Sequence, residues 1–488
     1  MNDILKGIKE SINRVPVIEG PIPVTETSYP FCSMKHCRVP LDLEQYGYVE
    51  EEYFISGYAN IYDVTEDDRL TIAKEAVPYK NRILVRYPRD REKASGRVYV
   101  DILNATQGYD IEDLWHRISS WCLENGHIYV GITSKPVSVM SLKNFNYERY
   151  KDLNWSNGEC VPMPTISKSA TIPGTEEGLF WDMLSQLGML LRTEQGQKCV
   201  GNNPVEFIYL SGQSQSGAYL NTYVSYFDSY IRKCCHKPVY DGYFNIAGAL
   251  VQRTVRQQGT VGDLKLLPRN MHPSSTPYIC ITCEGDLFLF NQYVEGDLLN
   301  IKIENNDTED NKCRYYEIPG APHTNVVCPL LPALEEVDKA GARRPYLDPR
   351  ILDHINDFPA EYYIRGLLEK LHIWASKGIA PEIVEPMPRS GNDLKRDEFG
   401  NALGGLRSPF LDVPIATYIA STPDHPEGIS GKMKYFPREK VVSLYGSIEN
   451  YLNKFREYTV AQQNDGWISK TDAERMIQWS KDAINKLE

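Results

Sequence analysis

Apolar and aromatic residues fall into short β-rich runs, separated by turn residues or by stretches with helical spacing. The runs are Tyr53–Tyr62, Arg82–Arg86, Arg97–Leu103, His127–Thr133, Glu206–Ser211, Tyr243–Ala247, Tyr278–Thr282 and Arg314–Ile318. Strand-sized runs alternating with helical segments predict an α/β fold on an eight-stranded, mainly parallel sheet flanked by helices. The first two runs are joined by a charged, helix-poor connection, which predicts antiparallel pairing there. The later runs are nearly continuous apolar stretches, as expected of strands buried on both faces.

Helical spacing marks the crossovers. Asp110–Glu124 carries Ile111, Leu114, Ile118 and Cys122 on one face and is followed by Gly126, a helix stop. Thr175–Arg192 places Leu179, Met183, Leu187 and Leu190 on a stripe, with acidic residues in its first turn. Gly217–Lys233 reads as an aromatic-rich helix and Arg253–Ser275 as a loop. Beyond Ile318 the alternation stops, and helices are predicted over Phe358–Lys377, Arg438–Glu457 and Lys470–Glu488. The expected organisation is a lead-in over 1–50, a core over 51–329 and a long, mainly helical extension over 330–488 packed on that core as part of the same domain.

Charge and cysteine content narrow the function classes. The 488 residues carry 53 Lys+Arg against 65 Asp+Glu, a net charge of −12. An acidic chain has no electrostatic case for gripping nucleic-acid phosphates. The charged N-terminus lacks the apolar core of a secretory signal, and no eighteen-residue apolar run predicts a membrane span. Eleven cysteines, an odd number spread over a long chain, argue against a disulfide framework and for a reducing, cytoplasmic location. Three cysteine clusters invite a metal reading: Cys32/His36/Cys37, Cys234-Cys235-His236 and Cys280/Cys283. Adjacent cysteines make awkward tetrahedral ligands and no second C-x-x-C completes a site, so buried thiols and no metal are expected.

The strongest chemical signal is Phe207–Leu220, FIYLSGQSQSGAYL. A β-rich run ends in Gly212-Gln213-Ser214-Gln215-Ser216-Gly217 and a helical pattern follows. A nucleophilic serine on a sharp strand-to-helix turn needs small residues two positions to either side, a demand Gly212 and Ser216 meet around Ser214. The Gln215 N–H, at a helix N-terminus, is suited to an oxyanion. Ser216, flanked by Ser214 and Ala218, is the alternative nucleophile. Among the histidines beyond the seventh run, His323 follows the eighth run directly, in EIPGAPHT. His372 sits within a helical pattern, and His354 and His425 lie in polar segments that no run feeds. The acid is expected just after PYICIT, where CEGD offers both Glu284 and Asp286. A second oxyanion N–H is expected from the loop starting Asn104-Ala105-Thr106.

These segments together resemble the alpha/beta hydrolase domain-containing family of carboxylesterase-like proteins. The resemblance rests on NRILVRYP (81–88), GRVYVDILNATQGYD (96–110), GHIYVGITSK (126–135), GQSQSG (212–217), CEGD (283–286), GAPHT (320–324) and GNALGGLRSP (400–409). It implies an α/β-hydrolase fold with Ser214 as nucleophile, His323 as base, an acid within Glu284/Asp286, and oxyanion support near Asn104 and Gln215. The expected activity is hydrolysis of a small-molecule carboxylic ester through an acyl-enzyme, with no cofactor. The alternatives are acyl transfer from the same intermediate and a non-catalytic binding protein on the same fold. One departure stands out. The histidine usually lies near the chain end, whereas here 165 residues follow His323.

Overall fold

The computed structural model describes residues 2–156, 172, 174–235, 238–248, 251–256, 267–268, 274–290, 303–325, 327–344, 354–420 and 428–487. The chain divides into two compact units. The first comprises Met1–Pro277, Thr308–Lys312 and Val327–Pro345; the second comprises Tyr278–Asp307, Cys313–Val326 and Tyr346–Glu488.

Among the described residues, seven strands of the first unit lie in one sheet: β1 (Val17–Glu19), β2 (Tyr48–Val64), β3 (Leu70–Pro88), β4 (Arg97–Ile102), β5 (Ile128–Ile132), β6 (Phe207–Gln213) and β7 (Gly242–Ile246). Their spatial order is β1-β2-β3-β5-β4-β6-β7. The β2/β3 pair is a long antiparallel hairpin, paired from Tyr48↔Pro88 to Val64↔Leu70 with register shifts on either side of Ile61, as the connection between those runs predicts. Pairing is parallel from β5 through β4 and β6 to β7. These inner strands are almost wholly buried, which is why they read as continuous apolar runs.

Four helices of this unit carry or brace its key residues. Helix α1 (Asn2–Asn13) buries Ile8 and Ile12 and lends Ser11 to the buried carboxylate of Asp182. Helix α2 (Asp113–Asn125) crosses from β4 to β5 and stops at Gly126, whose φ is 70°. Helix α3 (Phe180–Leu191) is entered through a 3₁₀ turn at Glu177–Leu179. Helix α4 (Gln215–Tyr223) starts two residues earlier than the sequence pattern suggests. It runs into a π-turn at Val224–Asp228, where the Asp228 carboxylate accepts hydrogen bonds from Tyr243, Ser274 and Thr276.

Two buried arginines of β3 tie the lead-in to this unit. Arg82 pairs with Glu52 and Asp110 and donates to the Phe31 carbonyl. Arg86 makes a two-pronged bond to Glu112, pairs with Glu50 and donates to the Cys32 carbonyl. Arg149 adds Glu52 and the Pro23 carbonyl. Farther along, Arg38 and Val39 donate to the carbonyls of Leu331 and Pro329.

In the second unit β8 (Tyr278–Cys283) pairs in parallel with β10 (Lys312–Ile318), and short β9 (Asn306–Asp307) lies beside β10. All eight sequence runs are strands; β1 and β9 were too short to read. Helices α5 (Ala360–Lys377), α6 (Ile448–Asn464) and α7 (Lys470–Ile484) surround an aromatic core in which the Phe410 and Trp479 rings meet edge to face at 4.6 Å. The single helix expected over Arg438–Glu457 is two, Arg438–Tyr445 and Ile448–Asn464. Gly446 at φ 80° ends the first, and the Ser447 hydroxyl caps the second by accepting from the Asn450 N–H. Among the described residues no helix is long and apolar enough to cross a membrane. Cys32 and Cys37 donate their thiols to backbone carbonyls, while Cys280 and Cys283 are buried on β8. His236 and most of Arg253–Ser275 lie outside the described residues.

Candidate active site

Ser214 joins β6 to α4 in a backbone conformation of φ 54°, ψ −119°. A non-glycine residue held there costs of order 1–3 kcal/mol, and such strain persists only where the surroundings enforce it. The Ser214 N–H donates to the Ile246 carbonyl at 2.9 Å, and its own carbonyl accepts from Ala218 at 3.1 Å. The flanking glycines are steric necessities. A Cβ on Gly212 would lie 2.2 Å from the Ser216 carbonyl oxygen, and one on Gly217 would lie 2.7 Å from the Gly248 Cα.

The two serines of the motif differ sharply. Ser214 is partly exposed at the turn. Ser216 has no exposed surface; its hydroxyl donates to the Leu103 carbonyl and accepts from Lys135, both at 3.2 Å. Gln215 opens helix α4, so its N–H has no acceptor within the helix.

The loop after β4 corrects one expectation. The Asn104 N–H donates to the Ile111 carbonyl at 3.0 Å, which removes it as an oxyanion donor. The Thr106 N–H is taken by Asn104 Oδ1 at 2.8 Å. Among the described residues the Ala105 N–H has no acceptor. Asn104 instead contributes its side chain, which donates to the Gln213 carbonyl at 3.0 Å and ties this loop to the serine turn.

In the second unit β8 runs straight into a helical turn, Glu284–Phe290, and β10 runs into the loop bearing His323. Asp286 Oδ1 is 2.5 Å from His323 Nδ1, and Oδ2 accepts the Cys283 N–H at 2.6 Å. The Asp286 side chain has no exposed surface and that of His323 only 7%. With Nδ1 facing the acid, Nε2 points the other way, and the Phe290 ring packs edge-on at 5.7 Å. Gly285 permits this approach, since a Cβ there would lie 2.9 Å from the His323 nitrogen.

Glu284 does different work. Its Oε2 accepts the Gly320 N–H at 2.7 Å and its Oε1 pairs with Arg396 at 2.9 Å. Burial raises its carboxyl above the usual range, with Arg396 opposing. Glu284 thus braces the histidine loop, whereas Asp286 touches the histidine. Sequence reasoning passed over Arg396, because only the fold brings it to Glu284. It also passed over Glu317, near the end of β10, whose two carboxylate oxygens both accept from Arg389. The segment 400–409 supports the same strand, since the Leu406 N–H donates to the Glu317 carbonyl at 2.7 Å. Of the other histidines, His354 is exposed, His372 lies half-buried on α5, and His425 is outside the described residues.

Several solved structures are similar to this chain. Esterase B from Lactobacillus rhamnosis is 11% identical, with 68% of this chain and 88% of that one covered and a TM-score of 0.32. A fungal esterase structure from Rhizomucor miehei is 10% identical, with coverages of 68% and 85% and a TM-score of 0.33. A serine hydrolase without a lid, from Xanthomonas campestris, is 10% identical, with coverages of 55% and 85% and a TM-score of 0.23. No curated protein matches. The family model described as the alpha/beta hydrolase domain matches residues 18–478, nearly the whole length. The chain therefore belongs to the alpha/beta hydrolase domain family.

Proposed function

We propose that this chain is a serine hydrolase that cleaves small-molecule carboxylic esters through an acyl-enzyme on Ser214. The observation that carries the reading is the strained Ser214 backbone at the β6–α4 turn, held by glycines that nothing larger could replace. The buried Asp286–His323 pair supports it from the second unit.

In the proposed reaction His323 Nε2 takes the Ser214 Oγ proton as the oxygen attacks the ester carbonyl. Asp286 fixes the tautomer that leaves Nε2 able to accept, and stabilises the imidazolium that forms. The N–H groups of Gln215 and Ala105 hold the tetrahedral oxyanion. Its collapse expels the alcohol, which takes the proton from His323. Water then attacks the acyl-enzyme with the same base and releases the carboxylic acid. Glu284 is assigned no chemical step.

A fluorophosphonate probe tests the reading. A single adduct on Ser214, absent in Ser214→Ala, together with release of p-nitrophenol from p-nitrophenyl butyrate, is expected. An adduct on Ser216, or none on a protein that melts cooperatively, overturns the assignment.

A further inference from the structure

Beside the serine turn lies a cation that the proposed reaction does not use. Lys135 follows β5, at the same sheet end as the Asn104 loop, and is only 3% exposed. Its Nζ lies 2.7 Å from Ser134 Oγ, 3.2 Å from Ser216 Oγ and 3.5 Å from the Leu103 carbonyl oxygen, and 4.3 Å above the Tyr219 ring. Ser134 and Ser216 also donate to that same carbonyl, so Leu103 accepts from three donors at once. Leu103 is the residue before Asn104-Ala105, and Ser216 is the second residue of α4. One ammonium therefore grips both halves of the proposed oxyanion cradle at their roots.

Three oxygen neighbours match the three N–H donors of an ammonium. Among the described residues no carboxylate lies within hydrogen-bond distance of it. Burial and the repulsion of Arg253 pull Lys135 down to about 7, opposed at longer range by Glu177, Asp110 and Asp101. Asp110 is committed to Arg82, Asp101 to the Tyr129 hydroxyl, and Glu177 accepts from the Tyr219 hydroxyl.

Building on the serine hydrolase reading, we propose that Lys135, in its protonated form, is a positioning residue for acyl transfer. Through Ser134, Ser216 and the Leu103 carbonyl it sets the Ala105 N–H against the N-terminus of the serine helix. Misplacement of catalytic groups by about 1 Å costs on the order of a hundredfold in rate. Its loss is therefore read in kcat rather than KM.

The test compares the wild-type protein, Lys135→Met and Lys135→Arg for p-nitrophenyl butyrate hydrolysis from pH 5 to 9, with fluorophosphonate labelling in parallel. The wild-type kcat should fall on the alkaline side as Lys135 deprotonates near pH 7. Lys135→Met should lose about 10–100-fold in kcat, with KM within about threefold, and the alkaline fall should disappear. Lys135→Arg should recover much of the rate and stay active to pH 9, because guanidinium does not titrate there. If Lys135→Met fails to fold, the arginine variant decides alone through its alkaline limb. Ser214 labelling with unchanged kcat and pH profile in the variants overturns the lysine proposal only. No Ser214 adduct in the wild-type protein overturns both.

Discussion

Replacing Asp286 by Asn preserves size and one oxygen but removes the charge facing His323. Both carboxylate oxygens are engaged, by His323 Nδ1 at 2.5 Å and by the Cys283 N–H at 2.6 Å, and the residue has no exposed surface. In the proposed reaction the imidazole gains a proton, and the carboxylate would stabilise that new charge from ~4 Å between charge centres, about 4 kcal/mol at an effective dielectric near 20. That is roughly a thousandfold in rate. The amide also presents an N–H₂ where Nδ1–H needs an acceptor, favouring the wrong tautomer; in serine triads the combined loss is about 10⁴ in kcat. Asp286→Asn should therefore lower kcat for p-nitrophenyl butyrate by about 10³–10⁴-fold, with KM within about threefold. Glu284→Gln is the control, because Glu284 holds Gly320 and Arg396 rather than the imidazole. It should cost about 1–3 kcal/mol of stability through the weakened buried pair, with kcat within about fivefold of wild type at a temperature where both are folded. Steady-state kinetics and urea melts of the two variants separate the roles. If Asp286→Asn keeps kcat within about tenfold, or Glu284→Gln loses as much as Asp286→Asn, the assignment of the acid is wrong.

Two further outcomes rest on buried geometry. Gly212→Ala would push a Cβ to 2.2 Å from the Ser216 carbonyl, so it should cost at least about 1–3 kcal/mol and abolish probe labelling of Ser214 in whatever protein remains folded; normal labelling would show that the turn tolerates a side chain. Asp182, buried beneath α1, is pushed up from 3.8 to about 6 by burial, against donors from Ser11, Asn60 and Tyr62. The folded state then holds this proton more tightly than the unfolded chain, so the stabilisation is complete below pH ~4 and is lost as pH rises through ~6. Relative to Asp182→Asn, the wild-type protein should lose about 3 kcal/mol across that window, read from urea midpoints at pH 4 and 7. Parallel profiles for the two proteins would refute it.

The strands were legible because burial on both faces leaves an unbroken apolar record in the chain, and β4 to β7 carry it plainly. Strands of two or three residues, such as Val17–Glu19 and Asn306–Asp307, leave no such record. The break at Gly446-Ser447 is a local signal, a helix-ending glycine followed by a capping serine, that was overridden by the apolar spacing on either side. At the site, GQSQSG announced its own turn, since strand, glycine and helix are all adjacent in sequence. CEGD did not announce which carboxylate meets the histidine. That choice depends on Arg396, 112 residues beyond Glu284, and on the direction in which each side chain leaves the turn after β8. Asn104 shows the same limit in reverse. Its loop was identified, but its N–H is spent on Ile111 in a bridge that residue types alone do not reveal. Lys135 was invisible because a lysine after a strand reads as solvated until burial is known.

The lead-in segment also constrains the order in which the first unit can be completed during synthesis. Residues 23–39 leave the ribosome before their acceptors and donors, which come from Glu50, Arg82, Arg86, Arg149 and Tyr150, and finally from Pro329 and Leu331. Until Arg149 has emerged, the Pro23 carbonyl lacks its guanidinium; until residue 331 has, Arg38 and Val39 lack their carbonyls. Burying Arg82 and Arg86 without the Phe31 and Cys32 carbonyls would leave guanidinium N–H groups unsatisfied in a dry interior. This segment, made before its partners, is therefore among the last to dock, and a nascent chain stalled short of residue 329 should keep it open to protease.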